Sequence, residues 1–144
     1  MFRLLVVEDQ VDFYQDYLIR IFTQMLPMDK IVLTHAPDLQ TALAALAEES
    51  WDLVLMDYAL GPKFNFHGVP IRDGTDLVAF RRCLEGPPDS KDRKPRIRVW
   101  GIAAHTASNR LLIEAGADNA WTKNEVPALA VALRTLLRGH GKKE

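Results

Sequence analysis

The run Leu53-Val54-Leu55-Met56 constrains this chain more than any other feature. Four apolar residues stand together between Asp52 and Asp57, with no polar alternation. Such a run reads as a strand buried on both faces, although periodicity alone leaves a piece of buried helix open. It stops at Asp57, and Tyr58-Ala59-Leu60-Gly61-Pro62 breaks the pattern. A strand of this kind needs helices above and below it. A carboxylate at its carboxyl end lies where open α/β sheets bind their ligands.

The rest of the chain repeats the theme. Arg3-Leu4-Leu5-Val6-Val7 is a second apolar run, and it ends in Glu8-Asp9. Asp12 is the expected cap of a helix with Val11, Tyr14, Leu18, Ile21, Phe22 and Met25 on one face, ended by Pro27. Ile31-Val32-Leu33 reads as a short strand, and a helix with Leu39, Ala42, Leu43 and Leu46 inward starts near Asp38. After Asp57, Tyr58 to Asp73 reads as a long irregular segment. Gly74 to Leu84 reads as a helix with Leu77, Phe80 and Leu84 inward, followed by a polar, turn-rich stretch from Glu85 to Pro95. Ile97 to Ala104 is a fourth strand. A helix starting at Ser108 or Asn109 carries Leu111, Leu112 and Ala115, and Gly116 is placed to cap it. Asp118 to Thr122 is a fifth strand, leading to Lys123. A last helix runs from about Val126 to Arg138, and 139–144 is a polar, frayed tail.

Five alternations of strand and helix argue for an α/β domain with a parallel sheet and helices on both faces. The 144 residues fit one such domain, over 1–138, with enough chain to bury a core without staples. A net charge of −1 gives no global attraction to nucleic acid or anionic lipid. The lone Cys83 forms no internal disulfide, which suits a reducing compartment. No apolar run approaches the roughly 20 residues of a membrane helix. Met1 leads directly into a short strand without a signal-peptide pattern, so a soluble cytoplasmic protein is expected.

In a parallel sheet the carboxyl ends share one edge. Glu8, Asp9, Asp57 and Lys123 then face a single crevice. Three crowded carboxylates repel and call for a cation. An all-oxygen donor set suits Mg²⁺ with some waters retained. A carboxylate beside such a metal and a lysine is a candidate nucleophile toward phosphorus.

These residues carry a resemblance. Glu8-Asp9 after an apolar run, Asp57 after another, and Glu114-Ala115-Gly116-Ala117-Asp118 leading to Lys123 resemble the receiver domain of two-component response regulators, the chemotaxis-regulator-like family. The likeness covers nearly the whole chain. It implies the flavodoxin-like, doubly wound strand order 2-1-3-4-5, for which a receiver protein is a standard example. It implies that Asp57 is the phosphoacceptor, that Lys123 contacts the phosphoryl group, and that Glu8, Asp9, Asp57 and the Ala59 backbone carbonyl hold Mg²⁺. The partners it implies are a histidine kinase or phosphotransfer protein upstream and a protein target downstream, with no nucleic acid or membrane. A phosphoacceptor of this kind is not an enzyme in the usual sense, self-dephosphorylation apart.

The chain also departs from the family pattern. The family places Thr or Ser at the end of the fourth strand, where Ala103 stands, with Ala104 after it. Alanine offers no donor; Thr106 or Ser108 in the next loop is the nearest hydroxyl, off the family spacing, and His105 after the strand is a separate candidate donor near the crevice. The switching aromatic of the fifth strand falls at Ala120, with Trp121 adjacent and pointing to the other face. Asn124 follows Lys123 where proline is usual, and the segment after Asp57 is longer than usual. These departures motivate a second reading, a degenerate receiver that binds a partner irrespective of phosphorylation. A phosphatase-like hydrolase would want a second Asp two residues after the nucleophile, and Ala59 stands there. His35, His67, His105 and His140 show no zinc-ligand spacing. The basic run Lys91, Arg93, Lys94, Arg96 and Arg98 lacks an accompanying helix or stacking aromatics and reads as a solvated loop.

Overall fold

A computed structural model describes residues 1–48, 50–87, 89 and 91–141. The central sheet contains β1 (Phe2–Val7), β2 (Ile31–Ala36), β3 (Leu53–Met56), β6 (Val99–Ala103) and β7 (Asn119–Thr122). All pairings are parallel, in the order β2-β1-β3-β6-β7. This is the expected flavodoxin-like order, with β6 and β7 as the fourth and fifth strands of the sheet. Between β3 and β6 a separate antiparallel hairpin, β4 (Phe64–Phe66) and β5 (Val69–Ile71), interrupts the alternation.

β3 is buried on both faces, as its unbroken apolar run requires. Val54 and Met56 enter one core with Leu5, Val7, Leu39 and Leu77. Leu53 and Leu55 enter the other with Leu4, Val6, Leu18 and Leu129. Each such side chain contributes on the order of 2 kcal/mol of burial energy. The two acids that bound β3 sit at opposite sheet edges. The Asp52 carboxylate accepts from the Arg3 amide at 2.7 Å and ties the start of β3 to β1. Asp57 ends up at the other edge, nearly inaccessible at 2% exposure.

Helices α2 (Leu39–Leu46), α3 (Gly74–Glu85), α4 (Thr106–Ala115) and α5 (Val126–Gly141) flank the sheet with α1 (Ile19–Met25). The amide of Thr41 donates to Asp38, and that of Thr75 to Asp73, which caps α2 and α3 as short polar side chains do.

Several expectations are corrected. Asp12 does not cap its helix. It already has helical dihedrals, and Phe13–Leu18 forms a π turn ahead of α1. The extra residue in that turn rotates the face, so Val11 is 51% exposed. The segment 58–73 is not irregular throughout. His67 and Gly68, both with positive φ, close the β4–β5 hairpin, and Phe66 packs edge-on against Phe80. β2 extends to Ala36 rather than stopping at Leu33, and β6 ends at Ala103. Helix α4 begins at Thr106, and Leu111 lies exposed while Asn109 is buried. Helix α5 continues through Gly141, so 139–141 is helical rather than frayed, and the rest of the expected tail, 142–144, lies outside the described residues.

α3 buries Val78, Arg81 and Glu85 along with Leu77, whereas Phe80 and Leu84 are half-buried. Arg81 is fully enclosed. It donates to the carbonyls of Leu46, Glu48 and Pro95 at 2.9, 2.8 and 2.6 Å, and to Glu85 at 3.3 Å. Arg82 reaches Glu85, Asp118 and the Ile97 and Gly116 carbonyls. Arg96 pairs with Asp118 as well, so part of the basic stretch is engaged on the fold. A buried guanidinium persists only when its donors are used, as they are here.

Candidate functional site

Three strands deliver the site to one edge of the sheet. β1 runs out at Val7 and the chain continues into Glu8 and Asp9. β3 ends at Asp57. β7 leads into a 3₁₀ turn, Lys123–Glu125, whose Glu125 carboxylate accepts from both the amide and the hydroxyl of Thr122. That turn fixes the direction in which Lys123 leaves the strand.

The Lys123 ammonium reaches back over the carboxylates. Its Nζ is 2.9 Å from Glu8 Oε1 and 3.3 Å from Asp57 Oδ2, and it donates to Gln10 Oε1 at 2.9 Å. The ring of Phe13 lies beneath it, with the Nζ 4.7 Å from the ring centroid, a cation–π contact. Glu8 is entirely buried, Asp57 nearly so, and Asp9 is exposed. One carboxylate oxygen from each lies within 4.8 Å of the others.

The electrostatics follow from this crowding. Burial, and then the neighbouring Glu8 carboxylate, push the Asp57 carboxyl up to about 7, with Lys123 opposing the shift. Burial and Glu8 also raise Asp9. The Asp57 carboxylate accepts from the Tyr58 amide at 2.8 Å, and the Asp57 amide donates to the Val7 carbonyl at 3.1 Å.

The residues fit a hard divalent cation. Glu8 Oε1 is buried and accepts no well-formed hydrogen bond, although the Lys123 ammonium lies 2.9 Å away. Such an oxygen has coordination capacity to spare. The donor set is three carboxylates with no sulfur or imidazole among them, which favours Mg²⁺ over softer metals.

A small cleft of about 90 Å³ opens over Asp57. Gln10, Tyr58, Ala59, Ala103, Ala104, His105, Ser108 and Lys123 line it. Of the site residues singled out from the sequence, Asp57, Ala59, Ala103, Ala104, His105 and Lys123 line this cleft and Glu8 and Asp9 join Asp57 in the acid cluster, whereas Thr106 begins α4 and is not on the cleft wall. Ser108, the other hydroxyl considered, does line it. His105 stands at the N-terminal end of α4 and is exposed. Ala103 and Ala104 place only a methyl group each where a donor was looked for.

Behind Ala103 the fold compensates with a residue that periodicity misses. Asn109 is buried, accepts from the Ala103 amide at 3.1 Å and donates to the Trp121 carbonyl at 2.8 Å. It pins the carboxyl ends of β6 and β7 together. Gly101 makes the room, since a Cβ there would stand 2.9 Å from Leu112 and 3.1 Å from Asn109. Ala120 pairs with Gly101, and Trp121 packs on the other face against Trp100 at 4.8 Å between ring centroids.

Gln10 and Phe13 were also missed. Gln10 had a signal, as the residue directly after the acid pair. Phe13 had none, because only the π turn brings it under Lys123.

No family model matches the sequence, and no curated protein matches it either. Solved structures do match. A CheY-like response regulator receiver domain protein from Methanospirillum hungatei JF-1 superposes with a TM-score of 0.69 at 18% identity, over 100% of this chain and 99% of that one. A two-component response regulator of the LuxR family from Aurantimonas sp. SI85-9A1 gives 0.67 at 23% identity, over 95% and 85%. A response regulator protein from Burkholderia pseudomallei, solved with a phosphorylated aspartic acid, calcium ion and citrate, gives 0.64 at 19% identity, over 99% and 73%. The fold is that of a receiver domain.

Proposed function

We propose that this chain is a response regulator receiver that accepts a phosphoryl group on Asp57. The observation that carries the reading is the grouping of Glu8, Asp9, Asp57 and Lys123 at one sheet edge, two of the acids buried and Lys123 spanning them. The donor is a phosphohistidine on a histidine kinase or phosphotransfer protein. An Asp57 carboxylate oxygen attacks phosphorus. An O–P bond forms, the P–N bond breaks, and the imidazole nitrogen leaves with the electron pair and takes up a proton. Lys123 sits where it balances charge on the transferred oxygens. Glu8, Asp9, Asp57 and the Ala59 carbonyl would hold Mg²⁺, which when bound offsets the negative charge of the carboxylates and the phosphoryl group.

The protein is a phosphoacceptor rather than a turnover enzyme, and its output runs through protein contacts. α4, β7 and α5 form the face for that contact, where Leu111, Ile113 and Val131 are exposed. Among the described residues no helix is long and apolar enough to cross a membrane. We place the protein in the cytoplasm, without nucleic acid or membrane partners.

The test is incubation with a small phosphodonor, or beryllofluoride, plus Mg²⁺. A covalent phosphoryl adduct by mass, absent in Asp57→Asn, is the expected result. No Asp57-dependent adduct and no spectral response to beryllofluoride would overturn the reading.

A second reading has its own support in Ala103 and the Asn109 clamp. It is a degenerate receiver whose partner binding ignores phosphorylation. Equal partner affinity for wild type and Asp57→Asn, with and without phosphodonor, is its signature.

A further inference from the structure

The acid pair depends on how its backbone is held, and one side chain holds it from outside β1. The Glu8 amide continues the parallel ladder by donating to the Ala36 carbonyl at 3.1 Å. In this parallel register the next ladder donor to the Glu8 carbonyl would be the Asp38 amide, but β2 ends at Ala36 and Asp38 forms the N-cap of α2, so the ladder does not continue there. The His35 side chain supplies the donor, its Nε2 lying 2.7 Å from Glu8 O. A carbonyl oxygen only accepts, so Nε2 carries the proton. The ring is held in place by Tyr14, stacked parallel at 3.7 Å between centroids and 9° between planes. Tyr14 reaches that position from the π turn of Phe13–Leu18. A π turn inserted in a helix is a recurrent device at functional sites.

We infer that His35, clamped by Tyr14, is a positioning residue that sets the Glu8-Asp9 backbone and thereby the geometry of the divalent-cation site. This rests on the phosphoacceptor reading of that site. The ring touches neither the cation nor the phosphoryl group. It fixes the peptide that joins the buried Glu8 carboxylate to the exposed Asp9 carboxylate, both members of the acid cluster with Asp57. Partners that orient a ligand in this way typically change metal affinity by about tenfold or more when removed.

The test measures Mg²⁺ affinity by titration calorimetry on the full chain, with Tm alongside. The variants are His35→Ala, His35→Gln and Tyr14→Leu. His35→Ala is expected to weaken Mg²⁺ binding about tenfold, and Tyr14→Leu several-fold. His35→Gln, which retains an N–H donor, is expected to recover most of the loss at a Tm like that of His35→Ala. Recovery of affinity without recovery of Tm separates positioning from simple stability. If His35→Ala binds Mg²⁺ like wild type while Glu8→Gln loses it, the inference is overturned and the site reading stands. If wild type binds no Mg²⁺, both fall. If the three variants lose affinity strictly in proportion to Tm, His35 is structural only and the inference is overturned.

Discussion

Gly74 lies so close to Asp57 that a Cβ built on it would stand 1.9 Å from the Asp57 carbonyl oxygen. The same residue donates its amide to the Tyr58 carbonyl at 2.9 Å. The start of α3 is thus pressed against the backbone that carries the candidate phosphoacceptor.

Gly74→Ala is therefore expected to destabilise the protein by about 3 kcal/mol, the upper range for overpacking, because the atom it meets is backbone and cannot swing aside. Urea unfolding checks this. A change under about 0.5 kcal/mol, the range of an ordinary surface substitution, would show that α3 lifts away without cost.

Asp57 predicts a pH dependence. Its carboxyl is raised from 3.8 to about 7 in the folded protein. Between those values the folded state binds more protons than the unfolded state, so stability falls as pH rises through that window. The effect is present without Mg²⁺ and shrinks when the cation offsets the charge. Asp57→Asn removes the titration, so the variant should be more stable than wild type at about pH 8 and nearly equal to it at about pH 4, the lower end of the window. Parallel pH profiles for the two proteins would sink the prediction.

Arg81 predicts a large stability effect remote from the site. Its guanidinium is buried and serves three main-chain carbonyls and Glu85. Arg81→Ala removes the donor to the Leu46, Glu48 and Pro95 carbonyls, while Glu85 keeps Arg82 and the Ile97 amide, and a loss of about 3–5 kcal/mol is expected. Arg81→Lys should recover little, since one ammonium cannot span the fork. Calorimetric unfolding of both variants checks it, and full recovery by lysine contradicts it.

Ala103 predicts a gain. It lines the cleft beside Asp57 with no polar side-chain atom. Ala103→Thr adds a hydroxyl there. With beryllofluoride and Mg²⁺, the variant should show larger amide chemical-shift changes along α4 than wild type does. Identical shift patterns would mean that the Asn109 clamp, not the missing hydroxyl, limits the response.

Much of this was legible in the chain. The unbroken run Leu53–Met56 determined a strand buried on both faces, because no polar residue interrupts it. The position of acids directly after two such runs, and of Lys123 after a third strand, determined a charged edge, because parallel strands all end on the same side. The antiparallel hairpin at 64–71 was hidden, since its strands are three residues each and Pro62 and Pro70 read as loop. Arg81 and Glu85 were hidden too, because periodicity assigns charge to solvent and only packing reveals that each donor has a carbonyl waiting.

What the tertiary structure alone decided is which acid does what and which aromatic stands behind it. Asp52 and Asp57 flank the same run and look equivalent in the sequence. Strand direction sends Asp52 to the Arg3 amide at one edge and Asp57 to Lys123 at the other. Phe13 and Tyr14 are neighbours with no helical reason to converge on one site. One π turn aims the first at Lys123 and the second at His35. Spacing rules assume a regular helix, and a single extra residue per turn is enough to redirect both rings.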